Sequence, residues 1–330
     1  MSINKKLRIA YLLGSLNRGG TETLMLDVFK YQKNVDYNFI GVYRKDGTYE
    51  EEFLATNHNI FKIGPSSIFD ISYIFKLRRL LKKEKIDIVH AQQCIDAVFA
   101  LFATLGSKIK VIQTFHGFDY NCKLIHRILI RYSITRTNAN CFVSETQRQY
   151  YIDKYRLKNS KQNVVYNGVS FHKLDRVEQV YSIIPNKIDG EYILGSVGNF
   201  VAVREQIVIC RFLKLLKEQN IPFQFVFAGM RCESESWRYD ECVDYCRKNN
   251  LLDNVHFPGS IKDIPNMLKQ LDAFIYASNH DTFGIAVVEA IASGVPVFVN
   301  DWQTMREITN NGVWATIYKT GNEQDLLEQF

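Results

Sequence analysis

Short apolar runs, each followed by an amphipathic helical stretch, recur along the whole chain and restart once near its middle. That alternation constrains the fold more than any other feature, because parallel strands need a crossover, usually a helix, between them. In the first half the predicted strands are Arg8–Leu13, Asn38–Tyr43, Ile88–His90, Val111–Phe115 and Ala139–Val143. Helical periodicity fills Thr21–Tyr31, Ile71–Lys83, Ala97–Leu105, Lys123–Arg136 and Glu145–Tyr155. After Asn167-Gly168 the periodicity is lost until Gly190, which reads as a linker. The second half restarts with strands Tyr192–Val197, Phe223–Ala228, Val255–Phe257, Ala273–Tyr276 and Val295–Val299. Its helices are Glu205–Glu218, Tyr239–Asn249, Ile264–Gln270, Gly284–Ser293 and Gln303–Asn310. Within 330 residues this predicts an α/β protein of two Rossmann-like domains, 1–170 and 191–330, joined by 171–190 and facing a central cleft.

Bulk properties exclude several function classes. A formal net charge of +6 over this length suits an anionic small ligand or a membrane surface, and is too dilute for a nucleic-acid-binding face. The seven cysteines are odd in number and contain no CxxC pair, so they read as free thiols in a reducing compartment. No apolar run reaches the length of a membrane span, and the polar start of the chain does not read as a secretory signal. These features place the expected location in the cytoplasm, with room for peripheral contact at the inner membrane face.

Four constellations carry chemistry. The first, His280 to Ala290, follows the strand Ala273–Tyr276 and opens a helix that stops near Gly294 and Pro296. Its loop therefore lies at the carboxyl end of a parallel strand, where open α/β sheets bind ligands. Backbone amides of Gly284, Ile285 and Ala286 precede the first helical hydrogen bonds and suit a phosphate. Glu289 sits inside an otherwise apolar helix, and an ionised carboxylate there needs a partner. Ribose hydroxyls or a local surface contact would each supply one. The second, Gly198-Asn199-Phe200 to Arg204, follows the strand Tyr192–Val197. Arg204 reads either as a diphosphate clamp or as a solvated residue at a helix start. The third, Gly14 to Thr21, places Gly19 and Gly20 where backbone can approach an anion or sugar, or can merely make a tight turn. It does not match the dinucleotide fingerprint, and the predicted second strand runs into Arg44 and Lys45 rather than into the acidic residue that a nicotinamide ribose would require. This argues against an epimerase-like nicotinamide enzyme. The fourth, Thr114-Phe115-His116-Gly117, sets His116 at a strand end, where a histidine is structural or catalytic.

Asp281 and Glu289, eight apart, with Phe283-Gly284 between them and Ala290 after the second, resemble the E-x7-E signature of the retaining glycosyltransferase family 4. Ser293-Gly294-Val295-Pro296-Val297 resembles that family too, and Gly19-Gly20 is similar to its Gly-Gly opening with Glu22 as an approximate match. The resemblance implies a GT-B fold and transfer from a nucleotide-diphosphate sugar, with uridine the expected base, without a metal or other cofactor. It implies that Glu289 holds the ribose and that Asp281 and His116 lie beside the donor sugar. It implies that Arg204 and the amides of Gly284, Ile285 and Ala286 stabilise the leaving diphosphate. Phe283, Asn199, Gly19 and Gly20 fall among the donor-binding positions. Three departures stand out: Asp281 is one methylene shorter than the family Glu, and Asn199 and Glu205 replace an Arg and a Gly.

The family reaction retains anomeric configuration at the front face, and no nucleophile is assigned here. The expected acceptor is a glycan or lipid-linked glycan in bacterial polysaccharide biosynthesis. Lys123–Arg136 interleaves Lys123, His126, Arg127, Arg131 and Arg136 with aliphatic residues, and reads as a core-packed helix with a solvated face or as a patch for an anionic membrane. No nucleic-acid partner is expected. The alternative function is a non-catalytic or weakened protein of the same fold that binds a nucleotide sugar or glycan within an assembly complex. Asp325 to Phe330 reads as a helix start that stops after one turn, where family members continue, so the chain is either naturally short or cut.

Overall fold

The computed structural model describes residues 6–31, 37–67, 70–120, 122–171, 174 and 190–330. Most of the linker expected at 171–190 lies outside the described residues. The chain divides into two compact units, Met1–Gly168 and Val169–Phe330.

The first unit is built on strands β1 (Leu7–Ser15), β2 (Tyr37–Lys45), β3 (Ile60–Lys62), β4 (Ile88–Ala91), β5 (Lys110–Phe115), β6 (Ala139–Phe142) and β7 (Gln162–Val164). They form one seven-stranded sheet in the order β3-β2-β1-β4-β5-β6-β7, with every pairing parallel. The chain order reverses direction between β1 and β4, which is the topological switch point of a doubly wound sheet. Both faces are covered. Leu77, Leu81, Ala97 and Phe99 pack on Ala10, Leu12 and Val89, while Met25, Leu26, Phe29 and Phe53 pack with Phe39 and Tyr43. Burial on both faces explains why β1 and β2 read as nearly continuous apolar runs rather than alternating ones.

The second unit repeats the plan with β8 (Tyr192–Val197), β9 (Phe223–Ala228), β10 (Val255–Gly259), β11 (Ala273–Tyr276), β12 (Val297–Asn300) and β13 (Thr316–Tyr318). Its six-stranded sheet runs β10-β9-β8-β11-β12-β13, again all parallel. Its core is rich in aromatic rings, among them Phe212, Phe223, Phe225, Phe227 and Phe298. Cys210, Cys242 and Cys246 are buried in that core as free thiols. At this switch point β8 and β11 pair over only two positions, Leu194 with Ala273 and Gly195 with Phe274. Beyond them the two strands end in separate loops, Gly198–Glu205 and Ala277–Gly284.

All ten predicted strands are present. The expectations missed β3, β7 and β13, three-residue strands too short to show an apolar period, each at or next to a sheet edge. The helix expected at Ala97–Leu105 is Cys94–Ala103, because Asp96, which looks like a loop residue, is fully buried against Arg44. The helix expected from Tyr239 begins at Ser236. The apolar–acidic segment at the chain end forms the helix Glu323–Gln329, and Phe330 packs edge-on against Phe212 and Tyr192.

Candidate active site

The loops that leave β8 and β11 are laced together. The amide of Glu205 donates to the carbonyl of Ala277 at 3.1 Å, and the amide of Asn279 donates to that of Val203 at 3.2 Å. The Ser278 hydroxyl donates to the Val203 carbonyl at 2.7 Å, and Asn279 Nδ2 donates to Glu205 Oε1 at 2.9 Å. Asn300, the buried last residue of β12, holds Ser278 from the other side by accepting from its amide at 2.9 Å and donating to its carbonyl at 2.6 Å. Buried polar groups that are fully paired in this way rigidify what they join.

This lacing delivers Arg204 to Asp281. Arg204 Nη1 pairs with Asp281 Oδ2, and both side chains are mostly withdrawn from solvent. The guanidinium lies 4.4 Å from the centre of the Tyr276 ring, and the Tyr276 hydroxyl donates to the same Asp281 oxygen. Arg204 Nε is buried without a hydrogen-bond partner among the described residues. A Cβ at Gly198 would lie 3.0 Å from that nitrogen, so the glycine leaves the guanidinium room beside the backbone. The Trp302 indole donates to the Asp281 carbonyl at 3.0 Å, which fixes the loop from β12's side. The sequence reads Arg204 and Asp281 as separate contacts; the fold couples them to each other.

Gly284 caps the helix Ile285–Ala292 with a left-handed φ of 86°. A side chain at 284 would be strained, and its Cβ would fall 2.9 Å from Met305 Cε. The amides of Val287 and Val288 return to the Gly284 carbonyl at 3.0 and 3.3 Å. The amides of Ile285 and Ala286 precede these first helical bonds, as a helix start requires. Phe283 is buried, so its ring packs inside the unit. Glu289 is half-buried on the same helix, about one turn from its start. Asn199 Oδ1 accepts from the Met230 amide at 3.0 Å and so ties the loop after β8 to the loop after β9.

The first unit presents a different set at the carboxyl ends of its strands. Gly19 accepts from the Thr23 amide at 2.9 Å, and Gly20 opens the helix Gly20–Tyr31. Burial raises the pKa of Glu22 in the first turn of that helix. His116, just past β5, has Nε2 2.8 Å from Gln92 Oε1, and His90, in β4, has Nε2 2.8 Å from Thr114 Oγ1. Burial pushes both imidazoles down to about 4, with the His90 ring also opposing charge on His116, so both are neutral at pH 7. The next residues are anchored beneath: the Gly117 carbonyl accepts from Gln147 Nε2 and the Tyr151 hydroxyl, each at 3.0 Å. Asp119 takes Lys154 Nζ and the Tyr150 hydroxyl, each at 2.8 Å, and its pKa is lowered, with these partners outweighing burial.

Two family descriptions match the chain. "Glycosyltransferase Family 4" covers residues 18–173 and "Glycosyl transferases group 1" covers 179–330, so the two units fall one to each. The chain is a GT-B-fold glycosyltransferase related to these families. The glycosyltransferase is 25% identical to EpsF of Bacillus subtilis (strain 168) over 315 residues, 89% of this chain and 79% of that one. It is 24% identical to an Escherichia coli UDP-Gal:alpha-D-GlcNAc-diphosphoundecaprenol alpha-1,3-galactosyltransferase, over 91% of this chain and 81% of that one. Among solved structures it resembles Anabaena Alr3699/HepE in complex with UDP and glucose, with a TM-score of 0.82 at 17% identity, over 98% of this chain and 88% of that one. That likeness shows the fold. Of the two functions its sequence allows, the enzyme is the one these relationships support, and its general activity is sugar transfer.

The site residues that sequence reasoning missed are Tyr276, Ser278, Asn300 and Trp302. Tyr276 and Asn300 close apolar strands and read as core. Only their position at carboxyl ends beside the switch point could have marked them. Among the described residues no group of three or more His, Cys, Asp or Glu side chains could hold a metal ion.

Proposed function

We propose that this enzyme transfers a sugar, with retention of configuration, from a UDP-sugar bound on its second unit to a glycan or lipid-linked glycan of bacterial polysaccharide biosynthesis. The observation that carries the reading is the convergence of Arg204, Asp281 and the Gly284-capped helix start at one switch point. A cation beside amides at a helix start is the electrostatic arrangement that a departing diphosphate requires. Glu289 takes the ribose, and Asp281 and His116 take sugar hydroxyls. The choice of UDP draws support from HepE, whose crystals hold UDP and glucose, and from the E. coli galactosyltransferase, whose name specifies UDP-Gal.

In the proposed step the bond between the anomeric carbon and the diphosphate oxygen breaks. The acceptor oxygen bonds to that carbon on the same face, and its proton passes to the departing phosphate. Arg204 and the helix-start amides stabilise the charge that develops on the leaving group, and no divalent metal is assigned a part. Calorimetric titration with UDP in EDTA is expected to give binding that Glu289→Gln weakens by about tenfold. Absence of UDP binding, or a product of inverted configuration by NMR, would defeat the reading.

The acceptor side draws on the helix Leu124–Arg136. Ile130 and Ile134 bury its inner face, yet Leu124, Ile125 and Ile128 are 75%, 42% and 54% exposed, alongside exposed Lys123, His126 and Arg127. Apolar side chains among cations suit an anionic bilayer surface that carries a lipid-linked acceptor. No helix among the described residues is long and apolar enough to cross a membrane. Flotation with anionic vesicles at low salt is the check, and a protein that stays at the bottom of the gradient removes the patch.

A further inference from the structure

Tyr276 stands apart from the other aromatic residues of the second unit. It is the last residue of β11 and is 1% exposed, so by burial alone it is a core residue. Three contacts give it a second character. Its ring lies under the Arg204 guanidinium at 4.4 Å, a distance at which a cation is held by the ring face. Its hydroxyl donates to Asp281 Oδ2, the oxygen that also receives Arg204 Nη1. Its carbonyl accepts from the buried Tyr318 hydroxyl at 2.8 Å, which pins the residue from the neighbouring edge of the sheet. Arg204, Tyr276 and Asp281 thus form a closed triangle in which each member touches the other two.

The triangle has a consequence for any diphosphate that approaches Arg204. A phosphate oxygen competes with Asp281 for the guanidinium, whose buried Nε has no partner of its own. Once Arg204 is drawn to the phosphate, Asp281 loses its cation. Without another tether the carboxylate could rotate toward solvent. The Tyr276 hydroxyl is that tether: it keeps Oδ2 in place, while Oδ1, which receives neither Arg204 nor Tyr276, remains for a donor from outside. The ring meanwhile continues to carry the guanidinium from below.

We propose that Tyr276 is a positioning residue of the donor site, its ring carrying Arg204 for the diphosphate while its hydroxyl holds Asp281 on the sugar. This deepens the donor-site reading and rests on it. Tyr276 touches neither reacting atom, and acts through Arg204 and Asp281.

The two halves of the side chain separate experimentally. Tyr276→Phe keeps the ring and removes the hydroxyl. Titrations with UDP are expected to stay within about twofold of the wild type, because Arg204 keeps its support. Titrations with UDP-glucose are expected to lose whatever affinity the sugar adds, and kcat to fall about tenfold with the acceptor KM unchanged. Tyr276→Leu removes the ring as well and is expected to weaken UDP itself by about threefold. Tyr276→Phe behaving as wild type toward both ligands, or weakening UDP and UDP-glucose equally, would overturn the proposal. Asp281→Asn separates the two levels: if it leaves UDP-glucose binding and turnover unchanged, the donor-site reading itself fails. Failure of the wild type to bind either probe overturns both.

Discussion

The two units share a sheet order and a switch point, yet the carboxyl edges of their sheets are finished in different chemistry. In the second unit the edge carries a charged pair, Arg204 and Asp281, held by loops that are hydrogen-bonded to each other. In the first unit the edge carries neutral imidazoles, His116 on Gln92 and His90 on Thr114, over a network anchored by Asp119. One scaffold therefore carries two electrostatic environments. A cation that can be shared suits a diphosphate, whose charge changes during the reaction. A neutral imidazole suits hydroxyl groups, which need orientation rather than charge compensation. The fold supplies the place, and the side chains at the strand ends decide the role.

The strongest way to break this comparison is to remove one group from each edge. Arg204→Met is expected to lower sugar transfer by about 100-fold or more, since in the proposed step it removes the cation that meets the developing charge. His116→Asn is expected to cost about tenfold, the scale of one hydrogen bond to a sugar hydroxyl. Steady-state rates on a UDP-sugar would show it, and equal losses at the two positions would dissolve the distinction between the edges.

A smaller effect sharpens the second unit's side. Gly284→Val places a branched side chain at a left-handed φ and against Met305. It is expected to cost about 1–3 kcal/mol of unfolding free energy and to weaken UDP binding by displacing the helix start. A denaturant midpoint unchanged from wild type would show that this cap bears no strain.

The smallest effect belongs to the first unit. With folded-state values near 4 against an ordinary histidine value of 6.5, His90 and His116 take up protons in the unfolded chain first as the pH falls. Their contribution to stability is complete above the ordinary value and is lost as the pH drops from about 6.5 to 4. The thermal midpoint should decline over that window, and His90→Asn should flatten the decline. A slope identical in the variant would mean that His90 is not buried in its neutral form. His58 and His256, whose values burial also lowers, set the background slope.

Much of the architecture was legible because it is local. Apolar period, a helix start after each strand and the Gly-Pro stop after Ile285–Ala292 are written in neighbouring residues, and the ten longer strands followed from them. Three-residue edge strands were illegible because so short a run has no period to read. Cys94–Ala103 was misplaced because a buried ion pair, Asp96 with Arg44, looks in sequence like two solvent-facing charges. Arg204, Asp281 and Gly284 were visible only as charged residues and a glycine in the loops that follow two apolar strands.

What the sequence by itself determined was the pair of doubly wound units and the loops where ligands would be met, because strand-helix alternation encodes both. What only the tertiary structure decided was which side chains meet. Arg204 and Asp281 are 77 positions apart and come together because β8 and β11 are neighbours across the switch point. Tyr276 and Asn300 join them because parallel strands end together at one edge. No local pattern records that convergence, since it is created by the order in which the crossovers place the strands.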